Sequence, residues 1–319
     1  MRIITFDDVA ALGITPSDCY EWVSEAIQHK AQAILPPKIS MKPREGVFCN
    51  VMPSIIPAEF SPLGYSVGGV KVVTRYPGRV PSLSSELLLL NADTGEYLAF
   101  MDANFITAMR TGAVAAHSIR LLARNGYHVI GIMGLGNTAR ASLLVLAEKE
   151  RQRSFRVKLL RYKGQEEDFM RRFAEYDNLS FECVDTPAEI VRGSDVVLSA
   201  VTYVSEDFCS DDCFDEGVLV VPVHTRGFTN CDLFFDKVFA DDTGHVKHFK
   251  NFAGFRYFAE VCDVVNGRAE GRISDSERIL AYNIGLSLHD VNFAAHILRY
   301  CGSNTAGIDM REPESKFWV

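Results

Sequence analysis

The chain has 319 residues, 47% of them hydrophobic and 23% charged, with a formal net charge of −8. That length leaves room for two domains or one large one, and the balance of residue types is that of an ordinary globular protein. The acidic charge argues against a general nucleic-acid or anionic-membrane surface, while leaving room for a locally basic pocket that takes a small anion.

No apolar run approaches the roughly 18 residues a membrane helix needs. The first residues, MRIITFDDVAALG, carry acids where a signal peptide would be apolar. Eight cysteines are scattered without a framework, which fits reduced thiols in a cytoplasm. Cys209 and Cys213 have no histidine or second cysteine pair at zinc spacing and read as structural thiols. His245 and His248 flank a loop after Asp241-Asp242, but no metal is expected there.

Thr15-Pro16-Ser17-Asp18 is a helix start, with a capping hydroxyl, proline at the first position and an acid in the first turn. Tyr20, Val23 and Ile27 mark one apolar face of that helix, and Pro36-Pro37 stops it. From Lys38 to Leu90 the text is strand-like, punctuated by glycine and proline. Asn91 to Gly95 form a hairpin-type turn into a further strand, YLAFMD. Asp102 can cap a long helix through FITAMRTGAVAAHSIRLLAR, which Asn125-Gly126 ends.

Val129 to Met133 is a short apolar run without polar alternation, the pattern of a parallel strand buried on both faces. It leads into Gly134-Leu135-Gly136-Asn137-Thr138-Ala139, a GxGxxA turn, and then a helix. Glycine at 134 permits a tight turn, the bare backbone at Gly136 lets a pyrophosphate approach the opening amides, and Ala139 lets helix and strand pack closely. Alternating strands and helices follow: SFRVKLLRY, LSFECVD, SDVVLSAVT, GVLVVPVH and KVFADD. The stretch from Asp275 to Cys301 reads as one last helix capped by Asp275. The tail after it is polar and expected to be loosely ordered, with Phe317 and Trp318 as docking residues.

Three cations stand in unusual places. Lys71 lies in the apolar strand GGVKVV, where an inward lysine is costly without a partner and an outward one is a surface residue. Arg110 lies mid-helix among small and apolar residues, where it meets either a structural carboxylate or an anionic ligand. Lys38 follows two prolines and is ambiguous by itself.

Together these stretches resemble the ornithine cyclodeaminase/μ-crystallin family. The likeness runs from PPK (36–38) and MP (52–53) through GVKVVTRYPG, LLNADTGEYLAFMD, TAMRTGA and GLGNTA to SDVVLSAVT and GRAEGRISDSE…NIGLSLHD. It implies an NAD(P)-dependent enzyme acting at the α-carbon of an amino or imino acid. It also implies a homodimer paired through the antiparallel half, with the active site between two domains. Carried over by position, Lys38, Lys71 and Arg110 hold the substrate carboxylate, and Lys71 is the candidate for proton transfer at the α-nitrogen. Three cations on one carboxylate make charge-assisted hydrogen bonds, and their crowding suits acid–base work near neutral pH. Ser82 stands where the family has a threonine near the nicotinamide, and Arg110 is a further cofactor-binding residue. Gly134, Gly136, Asn137 and Thr138 face the pyrophosphate, and Thr202 lies along the cofactor.

Two positions depart from the family. The second parallel strand ends in Leu160-Arg161-Tyr162-Lys163 instead of an acid, so Arg161 and Lys163 favour NADP(H) over NAD(H) by offering charge to a 2′-phosphate; otherwise they are solvated surface cations. Arg226 occupies the place of the aspartate that cyclodeaminases use after the fifth parallel strand. A permanent cation there suits a second acidic group of the substrate, with His224 beside it as an acid–base candidate.

The expected fold is α/β, a Rossmann-type doubly wound parallel sheet plus an antiparallel α+β substrate and dimerisation domain. The expected boundaries are 1–112 with 296–319 for the substrate domain and 113–295 for the dinucleotide domain. The expected protein is a cytoplasmic homodimer that reduces imino acids or oxidises amino or N-substituted amino acids. A cyclodeaminase and an NADP(H)-bound small-ligand carrier are the alternatives.

Overall fold

Two threonines show how the first helices begin. The Thr5 and Thr15 hydroxyls accept the N–H of Asp8 and Asp18, and those carboxylates accept the threonine N–H groups at 2.8 Å each. Such reciprocal boxes satisfy donors that a helix leaves open at its start. The computed structural model describes residues 1–202, 204–223, 228, 233–302 and 305–309.

In chain order the elements begin with β1 (Arg2–Ile4), α1 (Phe6–Ala11), α2 (Pro16–Gln28), β2 (Ile39–Arg44) and β3 (Val47–Ile56). β4 (Val67–Arg75), β5 (Leu83–Asn91), β6 (Tyr97–Asp102) and α3 (Asn104–Leu122) follow. Strands and helices then alternate: β7 (Val129–Met133), α4 (Asn137–Lys149), β8 (Phe155–Leu160), α5 (Gln165–Arg171), β9 (Leu179–Val184) and α6 (Pro187–Val191). The remainder is β10 (Val196–Ser199), β11 (Leu219–Pro222), β12 (Lys237–Ala240), α7 (Thr243–Val246), β13 (Phe258–Glu260), α8 (Val261–Val265), β14 (Ile279–Tyr282) and α9 (Ser287–Cys301).

The chain divides into two compact units, one of Met1–Ile14, Gln32–Thr107 and Asp290–Val319, the other of Thr15–Ala31 and Ala108–His289. This division differs from the expected 1–112 with 296–319 against 113–295 chiefly at α2. That helix belongs with the parallel half, where Glu21 pairs with Lys149 of α4 at 2.6 Å.

The first unit is built on a six-stranded sheet in the order β1-β6-β5-β4-β3-β2. β2 through β6 pair antiparallel with their neighbours, and β1 joins β6 in parallel. Alternation sends Val67, Gly69, Lys71 and Val73 of β4, with Ser85, Leu87 and Leu89 of β5, to one buried face. Val70, Val72, Leu88 and Leu90 take the other face, and Phe100 on β6, opposite Leu88, is 42% exposed. The Asn91–Gly95 turn closes as expected, the Gly95 N–H donating to the Asn91 carbonyl at 2.8 Å.

Part of the tail is more ordered than its polarity suggested. The Ile3 N–H donates to the Ala306 carbonyl at 2.8 Å and the Ile308 N–H to the Met1 carbonyl at 2.9 Å, because the edge of β1 has backbone groups to satisfy. Phe317 and Trp318 lie outside the described residues.

The second unit carries an eight-stranded sheet in the order β13-β12-β14-β11-β10-β7-β8-β9, and every pair in it is parallel. β7 is buried along its whole length, and the chain reverses its direction of winding between β7 and β10, where such sheets bind ligands. The stretch from Asp275 to Cys301 is not one helix. Ile279–Tyr282 is the central strand β14, and Gly285, at φ +97°, turns the chain before α9 begins at Ser287. Asp275 accordingly caps no helix; its carboxylate accepts the Asn125 N–H at 3.0 Å.

Candidate functional site

In the second unit, β7 ends in the glycine turn, and its two glycines are there for different reasons. Gly134 has φ +81°, and a Cβ on it would come within 2.7 Å of the Ala200 carbonyl group, so no side chain fits. Gly136 has an ordinary extended backbone, and a Cβ on it would meet nothing within 4 Å. As N-cap of α4 it supplies no side-chain hydrogen bond, so the opening N–H groups face outward with the positive end of the helix dipole. Asn137 is exposed, Thr138 half-buried and Ala139 fully buried. The cradle fits a dinucleotide pyrophosphate.

Around the cradle the other expected cofactor residues are surface groups. Thr202 is exposed just after β10. Arg161 and Lys163 are exposed at the end of β8, Lys163 in the left-handed region at φ +54°. Arg161 pairs with Asp185 at 3.3 Å, and the Lys163 ammonium lies 4.9 Å from the Tyr162 ring centroid.

Arg110, on α3, is buried, and its guanidinium occupies the space over Gly285. A Cβ on Gly285 would stand 2.5 Å from Arg110 Nη1, so the guanidinium would have to shift to admit a side chain there. The Gly285 N–H donates to Asp241 Oδ2 at 2.5 Å, and Asp241 Oδ1 lies 3.4 Å from His245 Nδ1. Burial pushes the Asp241 carboxyl up, but His245, the Gly285 N–H and Lys30 together hold it below the usual carboxylate range. His245 thus serves a carboxylate. Glu260, Cys262 and Asp263 gather their ligand atoms within 4.8 Å, yet Glu260 is engaged by Lys30 at 2.6 Å and Asp263 by Arg268 at 2.8 Å.

In the first unit Lys71 points inward. It is fully buried, and its Nζ lies 2.6 Å from Oδ1 of Asp290, which is also fully buried. A buried ammonium survives only with such a partner, and the pair can hold or give up a proton away from water. Lys38 is half-buried ahead of β2. Ser82 is half-buried too, its carbonyl accepting the Tyr76 N–H at 2.8 Å in the turn between β4 and β5.

The expected residues therefore fall into two sets: Lys38, Lys71 and Ser82 in the first unit, and Arg110, Gly134, Gly136, Asn137, Thr138, Arg161, Lys163 and Thr202 in the second. His224 and Arg226 lie outside the described residues. Sequence reasoning missed Asp290, Gly285 and Asp241. The signal for Asp290 was present, since an acid inside LSLHDVNFAAH sits among apolar positions and needs a cation.

Comparison with known proteins extends this picture. A nodulation efficiency protein from Rhizobium meliloti is 28% identical over 275 residues, 82% of this chain and 82% of that protein. The alanine dehydrogenase of Archaeoglobus fulgidus is 26% identical over 326 residues, 96% of each. Among solved structures, the Thermococcus litoralis Δ1-pyrroline-2-carboxylate reductase in complex with NADH and L-proline shares the fold. The TM-score is 0.81 at 23% identity, covering 94% of this chain and 97% of that one. The family model matches residues 3–302, and the chain belongs to the ornithine cyclodeaminase/mu-crystallin family.

Proposed function

We propose that this protein is an NAD(P)-dependent oxidoreductase that reduces imino acids, or in reverse oxidises amino or N-substituted amino acids, by hydride transfer at the α-carbon. The observation that carries the reading is the open backbone at Gly136, ahead of a helix whose opening amides have no side-chain cap. Gly134, Gly136, Asn137 and Thr138 hold the pyrophosphate, with Ser82 and Thr202 along the rest of the cofactor. The bound dinucleotide supplies or accepts the hydride.

Arg110 and Lys38 bind the substrate carboxylate, and Lys71 gives the α-nitrogen its proton. His224 and Arg226 take the acid–base and second-anion roles their positions suggest. NADP(H) is the favoured dinucleotide and NAD(H) the alternative. The exposed cations Arg161 and Lys163 support NADP(H), while the Asp185 carboxylate beside Arg161 weakens that support.

The enzyme works as a homodimer. The second face of the six-stranded sheet carries a half-covered apolar patch of Val70, Val72, Leu88, Leu90 and Phe100 beside Glu86 and Asp102, the condition of a surface that meets a copy of itself. A reducing cytoplasm suits the seven described cysteines, all of them free.

The test is a screen of cyclic imino acids, keto acids with amines, and diamino acids, following absorbance of NADH and NADPH together with ammonia. Consumption of reduced cofactor with an imino acid supports the reading. Ammonia release from ornithine without net cofactor change contradicts it and identifies a cyclodeaminase. Under this reading Lys71→Ala loses 100-fold or more in turnover, roughly the scale of a proton-transfer group, and near-normal turnover removes Lys71 from its role.

A further inference from the structure

Lys71 and Asp290 are both fully buried and stand 2.6 Å apart, within the separation of a charge-assisted hydrogen bond. The sheet face around Lys71 mixes apolar side chains with the neutral polar groups Asn50, Ser54 and Ser85. The strand residues in register with Lys71 are Met52 and Leu87. Other residues on the same sheet face are Gly69, Val73, Ser85, Leu89, Ala99 and Met101, none of which titrates in the working range. From α9, Asp290 meets the lysine, and a Cβ on Gly69 would stand 2.8 Å from the neighbouring Val291 side chain. Strand and helix approach so closely that the two charged groups have little freedom to part.

We propose that Asp290 is the positioning residue that keeps Lys71 an ammonium and so fixes it as the proton donor of the reaction. Two consequences follow for the chemistry. A lysine already neutralised by an aspartate adds little net charge toward a substrate carboxylate, so that task falls to Arg110 and Lys38. In the reducing direction an Nζ–H bond of Lys71 breaks and an N–H bond forms on the imine nitrogen, and a bound nicotinamide would supply the hydride that the imine carbon takes up. Lys71 is left a neutral amine beside the Asp290 carboxylate, and a proton from solvent restores the ammonium. The aspartate makes that return favourable, since a buried lysine without a counter-charge prefers the neutral form.

This rests on the role given to Lys71 above, and the test keeps the two apart. The Lys71 ammonium is followed directly by 15Nζ NMR against pH, in the wild type, Asp290→Asn and Asp290→Glu, without any substrate. The wild type holds the ammonium signal through pH 9. Asp290→Asn moves its loss down by at least one pH unit, and Asp290→Glu moves it by much less. With an active imino-acid substrate, the alkaline limb of kcat/KM follows the same shift. A neutral Lys71 in the wild type at pH 8 overturns the proposal, and so does an unmoved titration in Asp290→Asn. An unmoved alkaline limb beside a moved NMR titration contradicts only the catalytic role of Lys71.

Discussion

Two helices of the second unit, α2 and α4, are each 13 residues long and begin in opposite ways. α2 opens on a capping box between Thr15 and Asp18. Just past its end, Lys30 reaches Asp242 at 2.7 Å and Glu260 at 2.6 Å. α4 opens on a bare glycine at the end of β7, with no side chain answering its amides. A helix that only has to fold meets its own hydrogen-bonding needs, whereas one that opens at the reversal point of a parallel sheet and leaves them unmet is shaped for a ligand.

The contrast can be broken first at the tied end. Lys30→Met leaves two carboxylates without their cation and is expected to cost about 3–5 kcal/mol in urea unfolding at pH 7. Burial opposes the Lys30 charge, but the hydrogen bonds it donates to Asp242 and Glu260 raise its pKa above the ordinary value; burial likewise opposes the Glu260 carboxylate, which Lys30 and the Thr243 N–H hold below its ordinary range. The Lys30 contribution is therefore complete below about pH 10 and lost as pH rises through its raised value. The Glu260 contribution is complete above about pH 4.5 and lost as pH falls through its lowered one. The cost of the substitution should be flat between those limits and shrink outside them, and a cost below 1 kcal/mol at pH 7 would mean that α2 is not held there.

Within the glycine turn, Gly134→Ala puts a Cβ against the Ala200 carbonyl group at positive φ, and should cost about 3 kcal/mol whether or not a ligand is present. A smaller loss follows at another capped start. Thr186, which opens α6 through a box with Glu189, should cost about 1 kcal/mol on change to alanine and leave dinucleotide affinity untouched. An equal loss of affinity in Thr186→Ala would erase the distinction between capped and open helices.

Much of this was legible in the chain. The unbroken apolar run at Val129–Met133 and the spacing of Gly134, Gly136 and Ala139 specify a buried strand, a turn and a helix, because each residue's requirement is local. The antiparallel strands were legible as strand-like runs between glycine and proline punctuation for the same reason. What stayed hidden depends on contacts distant in sequence. Whether Lys71 faces in or out turns on Asp290, 219 positions later. Ile279–Tyr282 reads as part of a helix because four apolar residues fit either element, and only its place between β11 and β12 makes it a strand. The Arg110 guanidinium takes the space that a side chain at position 285 would need, and the three-residue β1 depends on β6 to pair with it.

The most direct measurement is fluorescence titration of NADH and NADPH against the wild type and Gly136→Asp, with urea unfolding of the same two proteins. Aspartate is a good N-cap residue and nothing lies within 4 Å of the position, so the ligand-free variant should unfold within about 0.5 kcal/mol of the wild type or above it. Its carboxylate would stand where the pyrophosphate belongs, and affinity for both dinucleotides should fall at least 100-fold. A stable Gly136→Asp that binds either dinucleotide as tightly as the wild type would contradict the assignment of this turn.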